Sequence, residues 1–205
     1  MQIQQFIFGP FETNTYVVSD EHNCLLIDPA CSNEYERREL SAYVEELMAN
    51  SQKPIVILAT HGHLDHLWGA AWATKTFHQP VLIPEADIPM VEAMQEQYDL
   101  FGIRATAEPF PTKGFGISGF GVSGLEVLPT PGHTPGSVSL YFRDQKILFS
   151  GDTLFCMGYG RTDLPGGNTA ELIASLQTLF ALPADVQVYP GHGQSTTIGA
   201  ERRGI

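Results

Sequence analysis

Thr60-His61-Gly62-His63-Leu64-Asp65-His66 places three imidazoles and a carboxylate within six consecutive positions, 61–66. It directly follows the apolar run Ile55-Val56-Ile57-Leu58-Ala59, which Pro54 bounds on its other side. An apolar run of that length, ended by turn-forming residues, reads as a buried strand. The strand therefore delivers His61 at its carboxyl end, and Gly62 permits the bend that follows. Neutral imidazoles packed beside a carboxylate form a divalent-metal donor set, because each ring offers a lone pair and Asp65 offers charge.

Three further strand-like runs end in the same way. Leu125 to Leu128 leads to Pro131-Gly132-His133-Thr134-Pro135-Gly136-Ser137, and Lys146 to Ser150 leads to Gly151-Asp152. Val186 to Tyr189 leads to Pro190-Gly191-His192-Gly193. Thus His61, His133, Asp152 and His192 each follow an apolar run and sit beside glycine. Of the seven histidines, only His22 and His78 lie outside these motifs. Asp28, at the end of the strand Cys24 to Ile27, reads as an acceptor that orients a histidine or the backbone near such a site.

Between these runs the pattern is strands with interspersed helices, which is an α/β class with helices covering sheet faces. Ile3 to Phe8 reads as an edge strand and Thr15 to Ser19 as a second strand, with a hairpin connection over Asp20-Glu21-His22-Asn23. Helices are expected over Ser32 to Asn50, Leu67 to Phe77, Glu85 to about Leu100, and Thr169 to Phe180. Asn33 with Glu36, and Asn168 with Glu171, are spaced as capping boxes. Trp68 and Trp72, four apart, share one helical face and read as core packing. Val81 to Ile83 is a short strand, Val138 to Phe142 and Lys146 to Ser150 form a hairpin, and Gly102 to Gly124 reads as a long loop. Within the Gly-rich loop 157–167, Arg161 and Asp163 read as an ion pair bracing the backbone. Phe155, Met157 and Tyr159 are expected to alternate between core and cleft wall.

Composition narrows the function classes. Eleven basic against 23 acidic residues give a formal charge of −12, which argues against a nucleic-acid partner because a phosphate backbone needs a basic surface. No apolar run approaches the roughly 20 residues of a membrane helix, so no membrane association is expected. Three unpatterned cysteines, Cys24, Cys31 and Cys156, and a start without a basic segment point to a reducing, cytoplasmic setting.

The ordered motifs T-H-G-H-L-D-H, P-G-H-T-P-G-S, S-G-D-T-L-F and P-G-H-G resemble the metal-ligand motifs of the metallo-β-lactamase superfamily. Within it the chain is most similar to short, bacterial-type glyoxalase II (hydroxyacylglutathione hydrolase-like) proteins. The resemblance spans nearly the whole chain, from Asn14 to the tail Thr197-Ile198-Gly199-Ala200-Glu201-Arg202. It implies a four-layered αβ/βα sandwich, two facing mixed sheets with helices on the outer faces. It also implies one such domain over residues 1–205, without the C-terminal helical glutathione-binding domain of full-length glyoxalase II.

Carried over residue by residue, the resemblance implies one metal held by His61, His63 and His133 and a second held by Asp65, His66 and His192. Asp152 would bridge the two. Asp65 and Asp152 would then be the catalytic carboxylates, acting with a metal-bridging hydroxide as nucleophile. Two zinc ions are the expected cofactors, with iron or manganese able to substitute in a His/Asp site. The expected partner is a small-molecule thioester, such as an S-2-hydroxyacylglutathione, because a thiolate leaves readily without a proton donor. Lys113, Arg104 and Arg161 are candidates to hold the thiol moiety. Gly158-Tyr159-Gly160-Arg161-Thr162-Asp163 also resembles a loop of the persulfide dioxygenases, which would use a single iron on His61, His133 and Asp152. A metal-binding scaffold without catalysis is the third reading, and retention of all seven ligands counts against it.

Overall fold

The computed structural model describes residues 1–21, 24–49, 55–116, 118 and 121–202. Strands β1 (Gln2–Phe8), β2 (Thr13–Ser19), β3 (Cys24–Ile27), β4 (Val56–Leu58), β5 (Val81–Pro84) and β6 (Thr112–Phe115) form one sheet in that order. The pairs β1–β2 and β2–β3 are antiparallel, whereas β3 to β6 run parallel. The second sheet has the order β13 (Thr196–Thr197), β12 (Gln187–Pro190), β9 (Ile147–Gly151), β8 (Val138–Phe142), β7 (Leu125–Pro129). A two-stranded ribbon joins β10 (Leu154–Phe155) to β11 (Gly158–Tyr159).

Period-two alternation sorts the strand residues into three cores. Leu25 and Ile27 of β3, with Tyr16 and Val18 of β2, meet Leu140, Phe142 and Phe149 of the second sheet, so the sheets face each other across this layer. The alternate residues Cys24, Leu26 and Val17 point outward, onto helices α1 (Glu34–Ala49), α2 (Ala70–Phe77), α3 (Ile88–Glu92) and α4 (Met94–Leu100). On the far side, Tyr141, Leu148 and Val188 pack on Leu172, Leu176 and Leu179 of α5 (Thr169–Phe180) and on Ile198 of α6 (Ile198–Glu201). The architecture is the expected αβ/βα sandwich.

The local expectations hold with several adjustments. Helix α1 runs from Glu34; Asn50, Pro54 and the hairpin residues His22 and Asn23 lie outside the described residues. Asn33 caps α1 by accepting from the backbone of Tyr35 and Glu36. Glu36 does not close the reciprocal box but reaches back to the N–H groups of Ser32 and Gly9. Helix α2 begins at Ala70 rather than Leu67, because Gly69 is pressed against the chain after β3. Its N–H donates to the Pro29 carbonyl at 2.8 Å, and a Cβ there would lie 2.3 Å from Cys31 Sγ. Asn168 caps α5 through the N–H groups of Ala170 and Glu171. Trp68 and Trp72 pack against the outer core as expected.

Two departures are larger. The stretch Glu85 to Leu100 breaks into a single 3-10 turn, Glu85–Asp87, followed by α3 and α4. The segment read as a loop from Gly102 to Gly124 contains β6, which adds to the parallel edge of β5. Nothing in the composition of Thr112–Phe115 marks a strand; the pairing makes it one.

Strand direction positions the site. Parallel β3 and β4 end at one rim of the first sheet. In the second, β9 pairs parallel with β12 and shares antiparallel β8 with β7, so β7, β9 and β12 also end together. The two rims are tied by Val138 N–H to the Thr60 carbonyl, at 3.0 Å, and by Asn14 N–H to the Gly191 carbonyl, at 2.7 Å. Asn14 Nδ2 also donates to the carbonyls of Pro190 and Gly193.

Candidate metal centre

All seven residues singled out in the sequence converge at this joined rim. Among the described residues three donor clusters form: His61, His63 and His133; His61, His66 and Asp152; and Asp65, His66 and His192. Within each cluster the donor atoms lie within 4.8 Å of one another. Asp152 lies between the outer two. Its Oδ2 is 3.4 Å from His133 Nε2 and 3.5 Å from His192 Nε2, and its Oδ1 is 3.3 Å from His66 Nε2.

The ring orientations follow from what lies behind each imidazole. The His133 Nδ1–H donates to the Arg161 carbonyl at 2.8 Å, and the His192 Nδ1–H to the Phe11 carbonyl at 3.0 Å. A carbonyl can only accept, so Nδ1 carries a proton in both rings and Nε2 is the nitrogen turned to the interior. His66 Nδ1 faces Asp28 Oδ2 at 3.0 Å. The Thr60 hydroxyl donates to Asp28 at 2.8 Å, which leaves its lone pair for His61 Nδ1 at 3.1 Å. His61 and His66 therefore also turn Nε2 inward. His63 turns Nδ1 inward, 2.8 Å from His133 Nε2. Such fixed tautomers are the usual way a protein holds metal-binding imidazoles.

Burial and charge divide the rings into two kinds. Burial, followed by the neighbouring imidazoles, pushes His61 well below the ordinary histidine range and His63 down to about 4. Burial also opposes charge on His66, but the carboxylates of Asp65, Asp152 and Asp28 outweigh it and hold its pKa well above the ordinary value. For His192 burial is outweighed by Asp152 and Asp65, which carry it up to about 9. Burial would raise both site carboxyls; His66 and His192 reverse this, holding Asp65 at about 2 and Asp152 well below the carboxylate range.

A pair of divalent cations fits this donor set. His61 Nε2, His66 Nε2 and Asp152 Oδ1 are buried side-chain atoms that no hydrogen bond satisfies. His66 Nε2 has only ionic contacts, at 3.3 and 3.4 Å, outside hydrogen-bond geometry. Buried polar atoms are otherwise nearly always paired. Three inward-facing imidazole nitrogens on one side, two nitrogens and a carboxylate on the other, and a carboxylate between them would satisfy these atoms together.

The residues behind the donors include two that sequence reasoning missed. Asp87, fully buried, accepts from the Gly62 and Gly136 N–H groups at 2.8 and 2.6 Å and from the Thr134 hydroxyl at 2.7 Å. It joins the loop carrying His61 and His63 to the loop carrying His133. Thr13, also unpredicted, donates to Asp65 Oδ2 at 2.8 Å. Asp28 occupies the expected orienting position. Arg161 and Asp163 form the expected intraloop pair, with both carboxylate oxygens engaged at 2.6 and 2.7 Å. Phe155 lies edge-on to His192, at a ring distance of 6.0 Å, whereas Met157 and Tyr159 are exposed and contribute nothing to the core.

The metallo-beta-lactamase superfamily model matches residues 8–192, which contain every one of these donors. The chain belongs to the metallo-beta-lactamase superfamily. It is 39% identical to the hydroxyacylglutathione hydrolase GloC of Haemophilus influenzae over 99% of this chain and 96% of that protein. Among solved structures, TTHA1623 in a di-iron-bound form superposes with a TM-score of 0.84 at 34% identity, covering 98% of this chain and 97% of the other. The B3 metallo-beta-lactamase BLEG-1 superposes with a TM-score of 0.82 at 31% identity, with the same coverage. This superfamily membership makes the His/Asp clusters metal-binding groups of a hydrolase. The di-iron form of TTHA1623 leaves both zinc and iron open as the metal.

Proposed function

We propose that this chain is a dinuclear metal-dependent hydrolase that cleaves thioesters, with S-2-hydroxyacylglutathiones as the first substrates to test. The observation that carries the reading is Asp152 standing between two complete donor clusters, together with full-length similarity to GloC. His61, His63 and His133 would hold one ion, Asp65, His66 and His192 the other, and Asp152 both. When bound, such a pair supplies an activated water and polarises the carbonyl under attack.

The chain's own part is positioning. Arg161, Phe11, Asp28 and Thr60 fix the tautomers of His133, His192, His66 and His61, and Thr13 aims Asp65. With all seven side chains engaged as ligands, none is left to protonate a leaving group. An amide nitrogen would leave badly from such a site, whereas a thiolate, with an alkyl thiol pKa around 8.5, leaves with little help. This favours a thioester. The single-iron dioxygenase reading would use His61, His133 and Asp152 and give Asp65, His66 and His192 no role, so the second cluster counts against it.

The test is thiol release from lactoylglutathione by zinc-loaded and iron-loaded protein, beside an Asp65→Ala variant. Release that collapses in the variant is the expected result. Release that persists in the variant would rule out a requirement for the second cluster. No release from fully metallated protein would overturn the glutathione-thioester assignment and direct attention to oxygen uptake with glutathione persulfide and to β-lactam cleavage.

A further inference from the structure

Beside His63 lies a cavity of about 560 Å³ whose walls come from α3, α4 and the loops around Pro135 and Leu164. Its surface is made by Met90, Leu100, Phe101, Pro135 and Leu164, with Glu96 at the solvent side. Gln97 also lines it, yet its amide is fully engaged. Nε2 donates to the carbonyls of Gly62 and Met90, and Oε1 accepts from the Leu64 N–H. Among the described residues no lysine or arginine lines the cavity; Arg104 and Lys113, candidates for holding a thiol, lie elsewhere, and Arg161 is paired with Asp163. The apolar wall continues toward the second donor cluster. Phe101 meets Phe11 edge-on at 5.6 Å, and the Phe11 carbonyl holds His192.

A cavity of this size is in the range of small-molecule sites and far exceeds what a lactoyl group fills. Glutathione's carboxylates would meet Glu96 and a chain of net charge −12 without a cationic partner in the cavity. Burying such charges unpaired is costly. The arm that belongs here is uncharged. Because glutathione and similar thiol carriers are themselves charged, that arm is the acyl side. We infer that this cavity is the acyl pocket of the thioester hydrolase proposed above, and that the acyl group it takes is apolar and longer than lactoyl. The inference rests on that thioester reading.

The test uses full-length, metal-loaded protein and a series of acylglutathiones from lactoyl through butyryl and hexanoyl to octanoyl. The same octyl chain placed on the thiol side, as a thioester of lactate with octanethiol, distinguishes the two arms. The expected result is a kcat/KM that rises about four-fold per added acyl methylene until the cavity fills. Leu164→Asp, and Ala93→Phe as a second variant that fills rather than charges the cavity, should each lower the octanoyl-to-lactoyl ratio more than about tenfold. A profile flat or falling with acyl length, or one that rises only with the thiol-side chain, would overturn the inference.

Binding separates this inference from the function on which it rests. Calorimetry with metal-free protein compares two hydrolysis-resistant ketones, S-(2-oxononyl)glutathione and S-acetonylglutathione. The longer should bind about a hundredfold or more tightly. If no thioester is cleaved but this preference stands, the thioester reading fails and the apolar pocket is retained. Equal binding overturns the pocket whatever the activity.

Discussion

Asp28 Oδ2 lies 3.0 Å from His66 Nδ1, with both side chains essentially cut off from solvent. The same carboxylate accepts from the Thr60 N–H at 2.7 Å and the Thr60 hydroxyl at 2.8 Å. Asp28 reaches this position with φ at +53°, a left-handed conformation that aspartate tolerates better than most residues. One buried acid thus orients His66 directly and His61 through Thr60.

Asp28→Asn should therefore weaken metal binding at the cluster of Asp65, His66 and His192 by about ten- to hundredfold. Metal analysis after dialysis would show the loss as substoichiometric occupancy. A variant that retains two ions per chain at wild-type affinity would show that His66 needs no such partner.

Asp87→Ala should act on stability as well as on the site. It leaves the Gly62 and Gly136 N–H groups without their acceptor, while the Thr134 hydroxyl keeps Ser137 Oγ at 2.7 Å. Each buried orphan costs about 1–3 kcal/mol, so a loss of about 3–5 kcal/mol is expected. Urea unfolding of the metal-free protein should show it as a lower midpoint at unchanged slope. Asp87→Asn, which keeps one acceptor oxygen, should lose less.

Gly191→Ala tests the packing around Asp152. A Cβ at Gly191 would lie 2.1 Å from Asp152 Oδ1 and 2.7 Å from His66 Cε1. The side chains at the site must shift, and the backbone carbonyl carbon of Gly151 lies 3.2 Å away as well. Metal affinity should fall by more than about tenfold, a change of about 1.4 kcal/mol in binding. Far-ultraviolet circular dichroism should keep its wild-type form.

Metal removal by a chelator should lower the midpoint of thermal unfolding. Any ligand that binds only the folded state stabilises it, by about 4 kcal/mol at a thousandfold excess over Kd. Scanning calorimetry with and without chelator measures the shift, which should shrink in Asp65→Ala.

Much of this site is legible in the chain because metal donors are chemically distinctive. Histidines gathered beside glycine at strand ends stand out, and Asp28 stands out as an acid ending the strand Cys24–Ile27. Asp87 does not. It lies where the pattern reads as helix, and an acid near a helix start looks like an exposed one. The backbone carbonyls of Phe11 and Arg161, which hold His192 and His133, carry no sequence signal because every residue has one. The ribbon of β10 and β11 and the edge strand β6 escape for a related reason: they exist through pairing partners, with too few residues to show a period.

What the sequence determined by itself is therefore local: alternation that splits strand residues such as Leu25 and Leu26 between opposite faces, and the seven His and Asp residues that make up the candidate site. The tertiary structure decided which strand ends share a rim, that Asp152 stands between the two clusters, and that Asp87 joins the loop of His61 and His63 to that of His133. The physical reason is range. Side-chain alternation is set by geometry two residues apart, whereas the meeting of His61 with His133 and of Asp65 with His192 depends on parallel pairing and sheet stacking. Those contacts join residues far apart in the chain and leave no mark in either segment alone.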